Sequence, residues 1–115
     1  MNKEKTIKKN HHFKWIIKKG KKSNKKTVRV CITHNKDNKN KLGIAIRKNI
    51  KSAVLRNRAK RVIREIYRLE ENKLKKHFNI IICFNTETVN FNEIYIDIKN
   101  AFYDLNMYKE KGDVW

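Results

Sequence analysis

Apolar residues recur along this chain in two periods, and the changes of period mark its elements. Between residues 55 and 69 the spacing is helical. Wound at about 100° per residue, Leu55, Ala59, Val62, Ile63, Ile66 and Leu69 fall in one arc roughly 120° wide. Arg56, Lys60, Arg61, Arg64 and Arg68, with Asn57 among them, occupy the opposite arc. Such a helix buries one side against a sheet and presents the other as a plane of cations and amide donors. Ser52 stands where its N-cap belongs.

Other segments read more briefly. Phe13, Ile16 and Ile17 share one face of a short helix that Asn10 can cap and Gly20 ends, with Ile7 able to dock beside them. Residues 21–26 form a polar basic loop. From Thr27 to Thr33 the pattern alternates, Val28, Val30 and Ile32 on one side and Arg29, Cys31 and Thr33 on the other, as in a half-buried strand. A polar turn over 34–41 leads to residues 42–46, read as the antiparallel partner of that strand. Residues 70–77 continue the basic helix as charged helix or linker. Residues 79–85 are apolar without alternation, which predicts a strand covered on both faces. Phe91, Ile94, Tyr95, Ile98, Phe102 and Leu105 return to helical spacing in a last helix over 91–108.

The order is helix, strands, helix, strand, helix: an α+β sandwich of a small sheet and covering helices. Three strands are legible, and a fourth has room within 21–26 or around Arg47. The length suits a single domain over 1–115, with 1–9 and 109–115 as flexible tails.

Charge sharpens this picture. Thirty Lys and Arg against eleven Asp and Glu leave a formal charge of +19, which calls for a polyanionic partner. A solvated helix face laced with intrahelical ion pairs would need acids at matching density, yet Glu65 is the sole acid from Arg56 to Arg68. Guanidinium forks suit phosphate oxygens. Membranes are polyanions too, but the longest apolar run, Ile80–Phe84, is far too short to span one, and no secretory signal opens the chain. No membrane partner is expected, and cytoplasmic residence is.

Candidate chemistry is sparse. Cys31 and Cys83 read as reduced thiols within strands, and a disulfide would require those strands to be adjacent. His11, His12, His34 and His77 show no paired spacing with the cysteines, which argues against zinc. Metal-dependent phosphodiester cleavage wants clustered carboxylates, whereas Glu70, Glu71, Asp97 and Asp104 are scattered. No tightly turned helix pair suggests a DNA regulator. A structural ribosomal-type RNA-binding protein would share the size and charge.

Ile7-Lys8-Lys9-Asn10 with Phe13, then Leu42-Gly43-Ile44, then Lys48, Ile50, Ala53-Val54 and Arg56-Asn57-Arg58-Ala59-Lys60-Arg61 with Arg64, together resemble the protein subunit of bacterial ribonuclease P. The resemblance spans nearly the whole chain. It implies a two-layer α+β sandwich of a small mixed sheet with three helices, order αβββαβα, with a left-handed crossover at the basic helix, a hand that general rules disfavour. It also implies a protein that assists an RNA enzyme. The RNA subunit removes the 5′ leader from precursor tRNA with magnesium ions, so the protein alone binds no cofactor and needs no protein partner.

On that resemblance Lys48, Arg56, Asn57, Arg58, Lys60, Arg61, Arg64 and Arg68 bind the catalytic RNA. Phe13, Ile17, Arg29 and Cys31 line a groove for single-stranded leader, where aromatics stack on bases. Ile17 and Cys31 stand where many relatives carry aromatics. Two readings remain for some residues: core or groove for Phe13, strand packing or groove for Cys31, RNA contact or a pair with Glu65 for Arg61. Arg47 and Asn49 flank Lys48 where a small residue and a second lysine are usual. Lys51 replaces a common glycine, a cost of roughly 1 kcal/mol if the backbone there needs a positive φ.

Overall fold

A strand with no polar side must sit where both of its faces are covered, and Phe78–Phe84 does so at the interior of a four-stranded sheet. In this computed structural model, which describes residues 10–110, the elements are α1 (Asn10–Lys19), β1 (Lys21–Asn24), β2 (Val28–His34), β3 (Lys41–Ile46), α2 (Ala53–Glu70), β4 (Phe78–Phe84) and α3 (Phe91–Asp104). A 3₁₀ turn at Glu71–Lys73 follows α2. The order αβββαβα is the expected one. Ile7 lies outside the described residues, as does the tail read for 1–9, and the side chain through which Asn10 would cap α1 is likewise outside them.

The sheet order is β1-β2-β4-β3. β2 pairs antiparallel with β1 and β4, while β3 pairs parallel with β4, with α2 as the crossover. The expected antiparallel pairing of 42–46 with 27–33 therefore does not occur. β2 and β4 bear apolar side chains on both faces, including the fully buried Cys31 and Ile81, so they shield each other and displace the less buried β3 to an edge. The fourth strand is the basic segment 21–24. It shows no strand pattern because an edge strand needs few buried contacts, and only Ser23 is buried.

α2 and α3 cover one face, closing a core that includes Val28, Val30, Ile32, Leu42, Ile80, Ile82, Phe84, Ile63, Ile66, Ile98 and Phe102. α1 lies on the other face, where Ile16 buries against Cys31 and Ile81, with Phe13 and Ile17 packed alongside. Both exceptional glycines serve this second layer. A Cβ on Gly20 would strike the carbonyl oxygens of Ile32 and Ile16, so only glycine lets the chain turn from α1 into β1 so tightly. A Cβ on Gly43 would lie 2.5 Å from Cζ of Phe13, whose ring therefore seats on the bare backbone of β3.

Ser52 caps α2 as expected, its hydroxyl accepting from the Leu55 amide at 3.2 Å. Asn90 does the same for α3, accepting from the Glu93 amide at 3.0 Å. α3 ends at Asp104, before the expected 108, where Asn106 takes a left-handed φ of 56°. The chain then returns to the body: Tyr108 bridges Leu74, and the Lys109 amide donates to the Lys73 carbonyl. The tail read for 109–115 is thus tied down at Lys109, while 111–115 lie outside the described residues.

Candidate nucleic-acid interface

The buried side of α2 consists of Ala59, Ile63, Ile66, Tyr67 and Glu70. At 100° per residue its centre is rotated by roughly 50° from the one that periodicity predicts. Leu69 is consequently exposed, and Val54 stands out at 78% exposure. Tyr67 and Glu70 take the buried places instead. Glu70 is a carboxylate 1% exposed, accepting hydrogen bonds from Tyr108 (2.7 Å) and Tyr95 (3.0 Å) and paired with Lys73 at 3.2 Å. Burial pushes its pKa up, but the two phenols and the ammonium outweigh that and hold it below the usual carboxylate value.

This rotation divides the cations. Asn57, Arg58, Arg61 and Arg64 are exposed, and among the described residues none of these three arginines forms an ion pair. Asn57, Lys60, Arg61 and Arg64 line one shallow concavity with Glu65. Arg56 and Lys60 are half-buried. Arg56 donates to the Ile50 carbonyl at 3.1 Å and so helps hold the loop before the helix. Arg68, not Arg61, is the partner of Glu65, through bonds of 2.6 and 3.1 Å that hold the Glu65 carboxyl below its ordinary pKa.

Lys48 is exposed in the 47–52 loop. Its neighbours are engaged with each other and with the sheet: Arg47 donates to Asn49 at 2.8 Å and to the Asn85 carbonyl at 3.0 Å. Lys51 costs no backbone strain. Among the described residues only His77 and Asn106 combine a side chain with a positive φ.

On the α1 face the register sets side chains in rows across the strands. Lys22, Cys31, Ile81 and Gly43 form one row, and Asn24, Arg29, Cys83 and Ala45 the next. α1 covers the first row from Cys31 to Gly43 and leaves Lys22 exposed. Cys31 is 0% exposed beneath α1, which favours strand packing, the first of its two readings, over a place on the open groove. The pattern of alternation put Cys31 on the right face, but only the tertiary position of α1 buries it. Phe13 and Ile17 remain half-buried along α1, and Arg29 is half-buried with its Nε donating to Asn24 at 2.7 Å. Cys83, also half-buried, takes the place along the open strip that Cys31 does not. That strip crosses the sheet from Asn24 to Ala45, and Ala45 lies just before the loop carrying Lys48.

Cys31 and Cys83 are free, diagonal to each other on adjacent strands. The hydrogen bond to Cys31 and burial push the Cys83 thiol up, away from reactivity at neutral pH. Trp15 was not legible as a surface feature. It is 50% exposed, 6.4 Å from His12 between ring centroids, and its offset from the Phe13, Ile16 and Ile17 face was the available signal.

The acids stabilise the scaffold. Asp97 accepts from the Thr27 amide and hydroxyl at 3.0 and 2.6 Å, and Asp104 from Ser23 at 3.1 Å while pairing with Lys25 at 2.5 Å. These bonds fasten α3 to the β1–β2 turn, on the side of the sheet that α1 does not cover. Among the described residues no three His, Cys, Asp or Glu side chains are grouped to hold a metal ion.

The family model for ribonuclease P matches residues 1–106. The chain is 34% identical over 112 residues to a ribonuclease P protein component of Clostridium botulinum (strain Langeland), covering 96% of each. Its fold is similar to the solved Staphylococcus aureus RNase P protein, with a TM-score of 0.81 and 27% identity over 91% of this chain and 98% of that one. It is also similar to the RNase P protein from Thermotoga maritima, with a TM-score of 0.73 and 26% identity over 83% of this chain and 92% of that one.

Proposed function

The chain belongs to the ribonuclease P protein family, and from that membership we propose that it binds a catalytic RNA on the open face of α2 and the 5′ leader of precursor tRNA along α1. The reading rests chiefly on one observation: Arg58, Arg61 and Arg64 stand together with Asn57, exposed and, among the described residues, without an ion pair. Cations left free in the folded protein have counterions to release when phosphates replace them. Lys48, exposed in the loop before α2, adds a further cation, and Lys60 borders the surface. Arg56 acts mainly by holding the loop, and Arg68 contacts RNA only after sharing or leaving Glu65.

The leader lies on the strip of Arg29, Cys83 and Ala45 beside Phe13 and Ile17. Phe13 has a ring edge beside the strip but is braced on Gly43, so contact is more steric than stacking. The strip ends near Lys48, so a strand on it passes directly to the RNA-binding helix.

Leader removal is the work of the RNA. In this scheme magnesium acts through the RNA subunit. The protein contributes affinity and position. Neither a membrane nor a further protein enters this scheme, and among the described residues no helix is long and apolar enough to cross a membrane.

Reconstitution tests the reading. The purified chain should leave precursor tRNA intact, and adding cognate RNA subunit at low magnesium should restore removal of the leader. A chain that binds ribosomal RNA but does not stimulate the reaction would instead be a scaffold protein.

A further inference from the structure

A second cation-rimmed feature has its floor on the sheet face opposite α1, to which α1 contributes only its last residue, Lys19, and α2 none. It is a cavity of about 530 Å³, within the size range of small-ligand sites. Its floor is apolar, made by Ile32 of β2, Phe78 of β4 and Leu105 after α3. His34 stands exposed at the floor's edge, its ring tilted 36° to Phe78 with centroids 4.6 Å apart. The two residues are register partners, so the sheet itself holds the ring pair in place. Lys19, Lys21 and Lys75 form the rim, no carboxylate lines the cavity, and among the described residues none of these lysines forms an ion pair.

We propose that this cavity takes one unpaired nucleotide of an RNA strand, its base against Phe78 and His34 and its phosphate among Lys19, Lys21 and Lys75. An apolar floor with an adjoining aromatic pair suits the flat face of a base. Three ammonium groups on the rim suit the charge attached to it. Neither part alone selects a nucleotide: cations by themselves take any phosphate, and an apolar floor takes any small ring. The floor side chains point away from Cys31 and Ile81, so the base lies on the other side of the sheet from a strand along α1, and of that helix only Lys19 reaches the cavity. The inference rests on the RNA-binding reading only for the source of the nucleotide.

The test uses the whole chain and the imidazole proton resonances of His34, assigned with H34A. AMP should shift these resonances saturably, and more tightly than ribose 5-phosphate or inorganic phosphate at matched ionic strength. K75A should weaken AMP by roughly tenfold, the loss expected from one charge-assisted hydrogen bond, and K21A/K75A by more. A short oligoadenylate should bind at His34 more tightly than AMP. Absence of a His34 shift, or inorganic phosphate binding as well as AMP, would overturn the nucleotide site. An oligoadenylate no tighter than AMP would assign the cavity to a free mononucleotide and overturn the RNA-strand proposal. R61A/R64A should keep AMP binding while losing affinity for the RNA subunit. A failed reconstitution with AMP still bound at His34 would therefore count against the subunit role and not against the cavity.

Discussion

Replacing Arg61 and Arg64 together by alanine should reduce the salt dependence of binding to the RNA subunit by a predictable amount. Both side chains are exposed and, among the described residues, unpaired, so each is counted as one phosphate contact. On a duplex each contact contributes about 0.9 to the slope of log K against log salt, so R61A/R64A should flatten it by about 1.8. Between about 50 and about 200 mM salt, the gap in affinity between variant and native protein should then narrow about twelvefold.

The neighbouring ion pair supplies a control of opposite sign. Glu65 holds Arg68 at 2.6 Å, so E65A should release a cation to the RNA and steepen the slope by up to about 0.9. Fluorescence anisotropy with labelled RNA subunit over a potassium chloride series measures both, with circular dichroism melts to confirm folding. An unchanged slope in R61A/R64A, or weaker binding by E65A, would refute the assignment of this face.

Three further outcomes are expected. G43A places a methyl 2.5 Å from Cζ of Phe13 and should cost about 1–3 kcal/mol by thermal melting, with part recovered in G43A/F13L; equal melting of native protein and G43A would show that the ring does not depend on bare backbone. Glu70 is held below its ordinary pKa of 4.5, so its contribution is complete above that value and is lost as pH falls through the folded-state value; E70Q should destabilise at pH 7 by about 1–3 kcal/mol and melt with a shallower acid dependence, and parallel acid profiles would refute this. With a net charge of +19, the protein should melt at higher temperature in sulfate than in chloride of matched ionic strength, and R61A/R64A should show a smaller increment; an equal increment in both proteins would place sulfate elsewhere than on α2.

Much of the interface was legible because it is local. The separation of arginines from apolar residues between 55 and 69, the Ser52 cap and the doubly covered strand, read at 79–85 and found at Phe78–Phe84, all follow from residue type and spacing within a single element. Local pattern is weaker at setting the phase of a helix against its partner. Leu69 reads as core from its spacing, yet α2 turns so that Tyr67 and Glu70 are buried, and Glu70 can be so only because Tyr95 and Tyr108 come from elsewhere in the chain. Strand order is less local still. β3 follows β2 through a polar turn, yet β4, more than thirty residues further on, lies between them because it can fill both faces of an interior position.

The amino-acid order by itself determined which residues are cationic and which helix face carries them, since each is a matter of composition and of the 3.6-residue turn. The folded structure decided which of those cations are free, through contacts that are themselves close in sequence. Arg68 is drawn along the helix to Glu65 and Arg56 inward to the Ile50 carbonyl, while Arg61 and Arg64 are left outside. It also decided that Cys31 lies beneath α1 and that His34, Phe78 and three lysines enclose one cavity. Charge and period belong to the chain, and cation availability on α2 follows from contacts three and six residues apart, whereas the burial of Cys31 and the cavity depend on neighbours brought together across long sequence separations, which meet only once the sheet has formed.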